Sequence, residues 1–408
     1  MSYIGPMLRA LLQLPRSVWL IGLISLVNDS ASEMMYPLIP LYLSGVLMAG
    51  PKALGLIEGL AEAIASLLKL VSGVWADRTG RSKPWIMAGY GVAGLARPLI
   101  AFATVWPLLL LLRVLDRIGK AVRAAPRDAL LAASIAPDQR GLAFGLHRAL
   151  DNTGAVIGPL LAAALLGAGV PLQQVFLWAL VPGLACLLLS TALKESAAPP
   201  QPQARIEWRW RGLPLPLRRY LAVVAVFTLG NSSNMFLFLR AKELGVSEAQ
   251  VPLLWAAVSA VAAVCSTPLG HLSDRIGRLR LLTAGYVAYA LFYVGMAWFA
   301  EPGWRLYLLF GLYGLFMAAT EGVERALLAD LAPASQRGTA FGWFNLLLGA
   351  VLLPASVLFG WLWEGVSAAF AFGFSASCAL LAAGLLVVWV RPHATADVRA
   401  AAKTTIRP

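Results

Sequence analysis

Asp77-Arg78-Thr79-Gly80-Arg81 returns 197 residues later as Asp274-Arg275-Ile276-Gly277-Arg278. A second pair keeps the same offset. Gln139-Arg140-Gly141, closed by Ala143-Phe144-Gly145, returns as Gln336-Arg337-Gly338, closed by Ala340-Phe341-Gly342. Two unrelated strings with one offset mean that the chain of 408 residues repeats itself about halfway along. Its residues are 59% hydrophobic and 13% charged, the latter about half the roughly 25% usual in soluble proteins. Apolar runs of spanning length fit near 18–43, 52–76, 84–105, 107–125, 141–166 and 171–193. Six more fit near 220–240, 249–271, 281–300, 304–328, 338–362 and 367–390, each close to the ~20 residues that cross a bilayer. The expected fold is an all-α membrane protein, with twelve transmembrane helices in two homologous six-helix bundles around a central cavity. Its parts are a first bundle over 1–193, a linker over 194–219, a second bundle over 220–390 and a tail over 391–408.

The net charge of +13 suggests nucleic acid until its placement is considered. With both termini in the cytoplasm, 23 Lys and Arg fall on the inner side and 4 on the outer. That asymmetry is the positive-inside rule, so the charge sets orientation and no nucleic-acid partner is expected. Cys186, Cys265 and Cys378 stand singly in different apolar runs, with no metal-ligand or disulfide spacing. The first apolar run is too long for a cleaved signal and carries Asp29 and Glu33. The linker holds Pro199-Pro200-Gln201-Pro202 and Trp208-Arg209-Trp210-Arg211. Proline stops a continuous helix there, and the Trp/Arg stretch suits the inner interface.

The segment Gly73-Val74-Trp75-Ala76-Asp77-Arg78-Thr79-Gly80-Arg81-Ser82-Lys83 resembles the loop signature of the major facilitator superfamily, and Gly270–Arg280 resembles its degenerate second copy. The resemblance covers the whole chain. It implies a cytoplasmic gate made of Gly73, Asp77, Arg78, Gly80 and Arg81, with Asp274, Arg275, Gly277 and Arg278 as the second copy. Asp77 would hold the inner side closed and release during the cycle. Gly154-xxx-Gly158-Pro159 on the fifth span resembles a motif associated with antiporters, although the glycine pair expected next is Ala162-Ala163 here; plain helix packing through small residues is the other reading. On the fourth span, Arg113 is followed by Asp116, Arg117, Lys120 and Arg123, a departure from the small residues of the family. Asn28-Asp29, Ser32-Glu33, Tyr36-Pro37 and Ala125-Pro126-Arg127-Asp128 resemble a bacterial branch whose substrates are mostly unassigned. The implied location is the bacterial inner membrane, multi-pass, with both termini cytoplasmic.

Ionisable groups in the spans are the remaining signal, because each costs ~2.5–3.5 kcal/mol unless it is paired or faces a cavity. The first half holds six acids (Asp29, Glu33, Glu58, Glu62, Asp116, Asp151) and six bases (Lys69, Arg97, Arg113, Arg117, Lys120, Arg148). Asp29, Glu33 and Tyr36 share one helical face, with Asp29 about 16 Å deep. Arg123 and Arg127 lie towards the inner end, where a solvated face is expected. Shifted by 197, Asp29 becomes Val226, Glu33 Gly230, Arg113 Phe310 and Asp116 Tyr313, so charge coupling is expected in the first half alone. His147, four residues before Asp151, is either a proton relay or the holder of an ion pair.

The reading is a secondary transporter that moves a small molecule by alternating access, with proton-coupled export favoured by the Gly154–Pro159 pattern. Asp29, Glu33 and Asp151 would carry protons. Tyr36, Arg113, Asp116, Arg117, Arg148, Asn231, Asn234, Phe310, Tyr313 and Glu321 would line the substrate cavity, the arginines pairing with the acids in one state. The partners are a small molecule, protons and the lipid bilayer; no cofactor or bound metal is expected, and the chain is taken as a monomer. The alternatives are proton-coupled uptake of an organic anion or metal chelate, divalent metal export, and, from another class, a membrane-embedded enzyme or a non-transporting sensor.

Overall fold

Long apolar stretches broken by Pro, Gly and short polar turns dictate helices, since only a helix satisfies its own backbone in hydrocarbon. The computed structural model describes residues 13–79, 81–136, 139–195, 210–333 and 336–390, without the side chains of residues 70, 71, 73–79 and 211. Among these residues there is no strand. The helices are α1 (Arg16–Met35), α2 (Ile39–Gly45), α3 (Pro51–Thr79), α4 (Lys83–Leu99), α5 (Trp106–Ala133), α6 (Arg140–Gly167), α7 (Leu172–Trp178) and α8 (Leu180–Thr191). The second series is α9 (Leu215–Gly230), α10 (Met235–Glu243), α11 (Val251–Ile276), α12 (Arg278–Val294), α13 (Trp304–Leu331), α14 (Arg337–Gly365) and α15 (Ala368–Trp389).

Three expected spans are each cut in two, and the residues at the cuts explain why. Tyr36-Pro37-Leu38 forms a 3-10 turn between α1 and α2, where Pro37 and Pro40 lack the amide protons an α-helix would use. The α7–α8 break lies at Ala179, four residues after Val175 and three before Pro182. α9 ends at Gly230, and Asn231-Ser232-Ser233-Asn234 separates it from α10; such side chains compete for backbone hydrogen bonds and favour turns. Nine helical segments among the described residues are long and apolar enough to cross a membrane. The expected spans at 18–43, 52–76 and 107–125 are helical too, and their sequences carry the buried charges that lower their hydropathy. Large apolar side chains point outward, with Leu188 68% and Phe299 71% exposed, as a lipid-facing surface requires.

The described residues fall into two compact units, one drawn from 1–202 and 235–260 and the other from 203–234 and 261–408. In the first, α1 crosses α6 and α4 crosses α5 at glycines. A Cβ on Gly119 would lie 2.6 Å from the Gly89 carbonyl oxygen, so these two backbones touch. α2 is fixed by the Tyr42 hydroxyl, which donates to the Ala103 carbonyl at 2.8 Å. The second unit is built on rings: Phe227 stacks on Tyr286 with centroids 3.9 Å apart, and Tyr289 stacks on Tyr293 at 4.1 Å. The Tyr289 hydroxyl donates to the Gly230 carbonyl at 2.9 Å, tying the end of α9 to α12.

Candidate functional site

The charges of the first unit separate into a sealed set and an accessible set. Arg113 on α5 grips Glu58 on α3 with two bonds, Nε to Oε1 at 2.6 Å and Nη2 to Oε2 at 3.3 Å. Its Nη1 donates to Asp116 at 3.1 Å. Arg97 on α4 donates from Nε to the other Asp116 oxygen at 2.8 Å and from Nη1 to Asn28 Oδ1 at 3.0 Å. Glu58, Arg97, Arg113 and Asp116 are each 2% exposed. Four helices are thus joined through a buried lattice of charge-assisted bonds, the strong kind. Arg117 reaches Glu62 at 2.7 Å as an ion pair, although its Nε–H is not aligned as a hydrogen bond.

Asp29 and Glu33 lie outside this lattice, half-buried on α1. The expectation that Arg113 and Arg117 pair with them is not met here: those guanidiniums are taken by Glu58, Asp116 and Glu62. Asp29 instead accepts the Asn28 amide at 2.8 Å and has Asp151 of α6 within hydrogen-bonding reach. Lys120 of α5 faces both Asp29 and Glu33. Glu33 accepts the indole N–H of Trp255 at 2.8 Å. Tyr36, one turn further on, packs between Phe238 and Trp255, with centroids 5.7 and 5.5 Å away, and the Arg113 guanidinium sits 5.6 Å from its ring centre. Arg148 is exposed and lies 3.6 Å from Asp151. His147 is buried and shares a hydrogen bond with Ser25 at 3.0 Å, which Arg127 also contacts at 3.1 Å.

The glycines of α6 explain how α1 presents its acids. A Cβ on Gly154 would strike the Leu26 carbonyl oxygen and come 3.1 Å from the Ser30 nitrogen. One on Gly158 would strike the Ser30 carbonyl oxygen and come 2.7 Å from the Met34 nitrogen. Gly154, Gly158 and Pro159 are all buried, so α6 presses on α1 at the level of Asp29 and Glu33. This is the close approach that small residues permit in membranes.

In the second unit, Phe310 is 0% exposed and packs edge-on against Phe292 at 6.0 Å. Tyr313 is buried as well and donates to Asn234 Oδ1 at 2.5 Å. Both belong to the aromatic core in this structure and not to an open surface. Asn231 sits at the end of α9, and Glu321 is exposed on α13. Of the first gate copy, Gly80 and the side chains of Asp77 and Arg78 lie outside the described residues, and Gly73 is described only as helical backbone; Arg81 is exposed. Beside it, Glu195 caps the start of α4, accepting the Ser82 and Lys83 amides at 2.7 and 3.0 Å. In the second copy Arg278 donates to Asp330 at 2.6 Å and to the Ala326 carbonyl at 2.8 Å, with Asp274 at 3.5 Å. Gly277 has φ +98°, a conformation glycine adopts without strain. Asp274, Arg275 and Gly277 are exposed.

Several contacts of this region have no signal in the sequence. Glu58 and Arg97 counted among the buried charges, yet their partnership needed α3, α4 and α5 to meet. Trp255 gave no local signal as the partner of Glu33, 222 residues away. Arg123, placed on a solvated face by its position, is 2% exposed, with its guanidinium 4.6 Å from the Tyr90 ring centre; this corrects that expectation. Its neighbour Gly89 has no side chain, which leaves the Arg123 stem room against α4.

The profile of the Major Facilitator Superfamily matches residues 21–239 and 220–407. An uncharacterised MFS-type transporter of Methanocaldococcus jannaschii is 33% identical over 385 residues, 93% of this chain and 96% of that protein. A multidrug resistance protein, MdtG of Enterobacter lignolyticus, is 26% identical over 338 residues, 80% and 78% of the two chains. Among solved structures, a peptide transporter POT in complex with sulfate superposes with a TM-score of 0.77 at 12% identity, covering 95% of this chain and 98% of that one. A bacterial homologue of the human lysosomal transporter Spinster gives 0.66 at 15%, covering 92% and 95%. With helices of spanning length and this match along nearly its whole length, the chain is a multi-pass membrane protein of the Major Facilitator Superfamily, a family of transporters.

Proposed function

We propose that the protein is a secondary transporter in which Asp29 exchanges protons with water during the movement of a small molecule out of the cell. The observation that carries this reading is the division of the charges. Arg97, Arg113 and Arg117 are already paired with Asp116, Glu58 and Glu62, whereas Asp29 has Asp151 within hydrogen-bonding reach. Two carboxyls can hydrogen-bond only when one holds a proton, so this pair is a place where a proton is held and given up. Glu33, tied to Trp255, would report the same change to α11.

Export is favoured by the Gly154–Pro159 pattern and by the multidrug resistance relatives at low identity. Uptake of an organic anion has less support, because Arg113 and Arg117 of α5, the expected carboxylate binders, are paired with Glu58 and Glu62. Divalent metal export has less still: among the described residues no three His, Cys, Asp or Glu side chains stand where they could share a metal ion.

The test is transport by proteoliposomes with and without a pH gradient, comparing wild type with Asp29→Asn. The expected result is that the variant inserts, folds and loses gradient-driven transport. Full concentrative transport by Asp29→Asn would remove Asp29 from the coupling mechanism.

A further inference from the structure

Arg123 presents a physical problem. It is a guanidinium 2% exposed inside a helical bundle, and among the described residues its Nη1 has no hydrogen-bond partner. Two more donors that face it are also unsatisfied among the described residues: Arg97 Nη2 and the Tyr90 hydroxyl, both on residues 2% exposed. Arg123 lies against the Tyr90 ring. Arg97 holds Asn28, and Asn28 holds Asp29. Arg123 and Tyr90 lie close enough to Asp29 to feel its charge, and three buried donors of this kind suit an anionic acceptor, since an unmatched buried charge is strongly unfavourable.

We infer that Arg123 Nη1, Arg97 Nη2 and the Tyr90 hydroxyl form a socket for the ionised carboxylate of Asp29, so that loss of its proton moves Asp29 from Asp151 to the α4–α5 pair. This rests on the proton-holding role proposed above. The step balances simply: the proton shared by Asp29 and Asp151 leaves to water, and two carboxylates remain. Asp151 then keeps Arg148, already 3.6 Å away, and Asp29 accepts from Arg123. The proton thereby decides whether α1 is bonded through Asp29 to α6 or to α4 and α5. The other groups facing Asp29 are Glu33 on its own helix, Lys120 on α5, His147 on α6, and Cys186 on α8. Of these, Lys120 supplies positive charge in either position.

The measurement is infrared difference spectroscopy of the full chain in lipid, following the protonated-carboxyl band identified by its absence in Asp29→Asn. In Arg123→Gln the midpoint at which this band disappears is expected about one unit or more higher in pH, because the ionised form has lost its cation. Arg123→Lys should return it most of the way. Tyr90→Phe, which keeps the ring and removes only the hydroxyl, should shift it in the same direction by less, and it decides the matter if Arg123→Gln does not fold. An unchanged midpoint in Arg123→Gln and Tyr90→Phe overturns the socket, and a merely structural role for Arg123 gives that result with lowered stability. A wild-type midpoint that follows chloride when chloride is replaced by gluconate also overturns it, because the acceptor is then a small anion. None of these readings uses transport. A shifted band together with coupled transport by Asp29→Asn would leave the socket standing and the proposed function refuted.

Discussion

Arg113 and Phe310 occupy equivalent positions in the two halves of the sequence, and each fills its interior in a different way. Arg113 is satisfied by Glu58 and Asp116, and Phe310 by aromatic packing. The consequences of truncation differ accordingly. Arg113→Met leaves Glu58 buried without its cation, which costs about 3–5 kcal/mol. The double change Glu58→Leu with Arg113→Met removes both charges, and most of that loss should return. Thermal unfolding of the four proteins in the cycle checks this; losses that simply add would mean that the pair is not a unit. Phe310→Ala is expected to cost about 3–5 kcal/mol through the cavity it opens, and the same unfolding assay reads it. Neither change tests substrate recognition directly, because neither side chain reaches an open surface.

At the scale of the helix, the crossing of α1 with α6 is the most demanding packing in the first unit. Added atoms at Gly158 meet backbone, the Ser30 carbonyl oxygen and the Met34 amide nitrogen, and backbone cannot rotate away as a side chain can. Gly158→Ala should therefore push α6 off α1, at an overpacking cost of about 1–3 kcal/mol. Because Asp29 and Glu33 sit at this crossing, gradient-driven transport is expected to fall more than stability alone explains. Gly145→Ala on the same helix, where a Cβ meets nothing within 4 Å among the described residues, is the control and should behave as wild type in both the unfolding and the transport assay. The elements themselves were legible in the sequence, since runs of apolar residues and their Pro, Gly and Asn breaks mark helix ends. The ion pairs were legible only as an inventory. Six acids and six bases say that pairing is required, but whether Arg113 meets Glu58 or Asp29 depends on how α3, α4 and α5 come together. Arg123 was misplaced for a related reason. Distance along a helix locates a residue near an end, and the Gly89–Gly119 contact that encloses it is a tertiary fact.

At the scale of the whole molecule, the repeat shows which features both halves retain and which only one carries. Gln139 and Gln336 are both the last residue before a long helix, so the second repeated string serves the same local purpose twice. The pentapeptide loop is repeated as well, whereas the buried charges are not: Asp29 and Glu33 correspond to Val226 and Gly230. Gating and coupling should therefore separate under mutation. In the second loop, Arg278 ties the start of α12 to Asp330 and the Ala326 carbonyl on α13. Each bond joins elements of one unit, far along the chain from Asp29. Arg278→Ala removes both bonds, and Asp330→Asn removes only the charge from one of them. A loop that controls conformational equilibrium changes the populations of states and leaves ligand contacts intact. Arg278→Ala should therefore slow transport several-fold with substrate affinity nearly unchanged, and Asp330→Asn should do so more mildly, because an amide still accepts a hydrogen bond. Both should keep the wild-type dependence on the pH gradient, which Asp29→Asn loses. Rates and affinities measured on the same proteoliposome preparations distinguish the cases. Loss of gradient dependence in Arg278→Ala, with its rate otherwise intact, would place coupling in the second half and contradict the division of labour that the repeat implies.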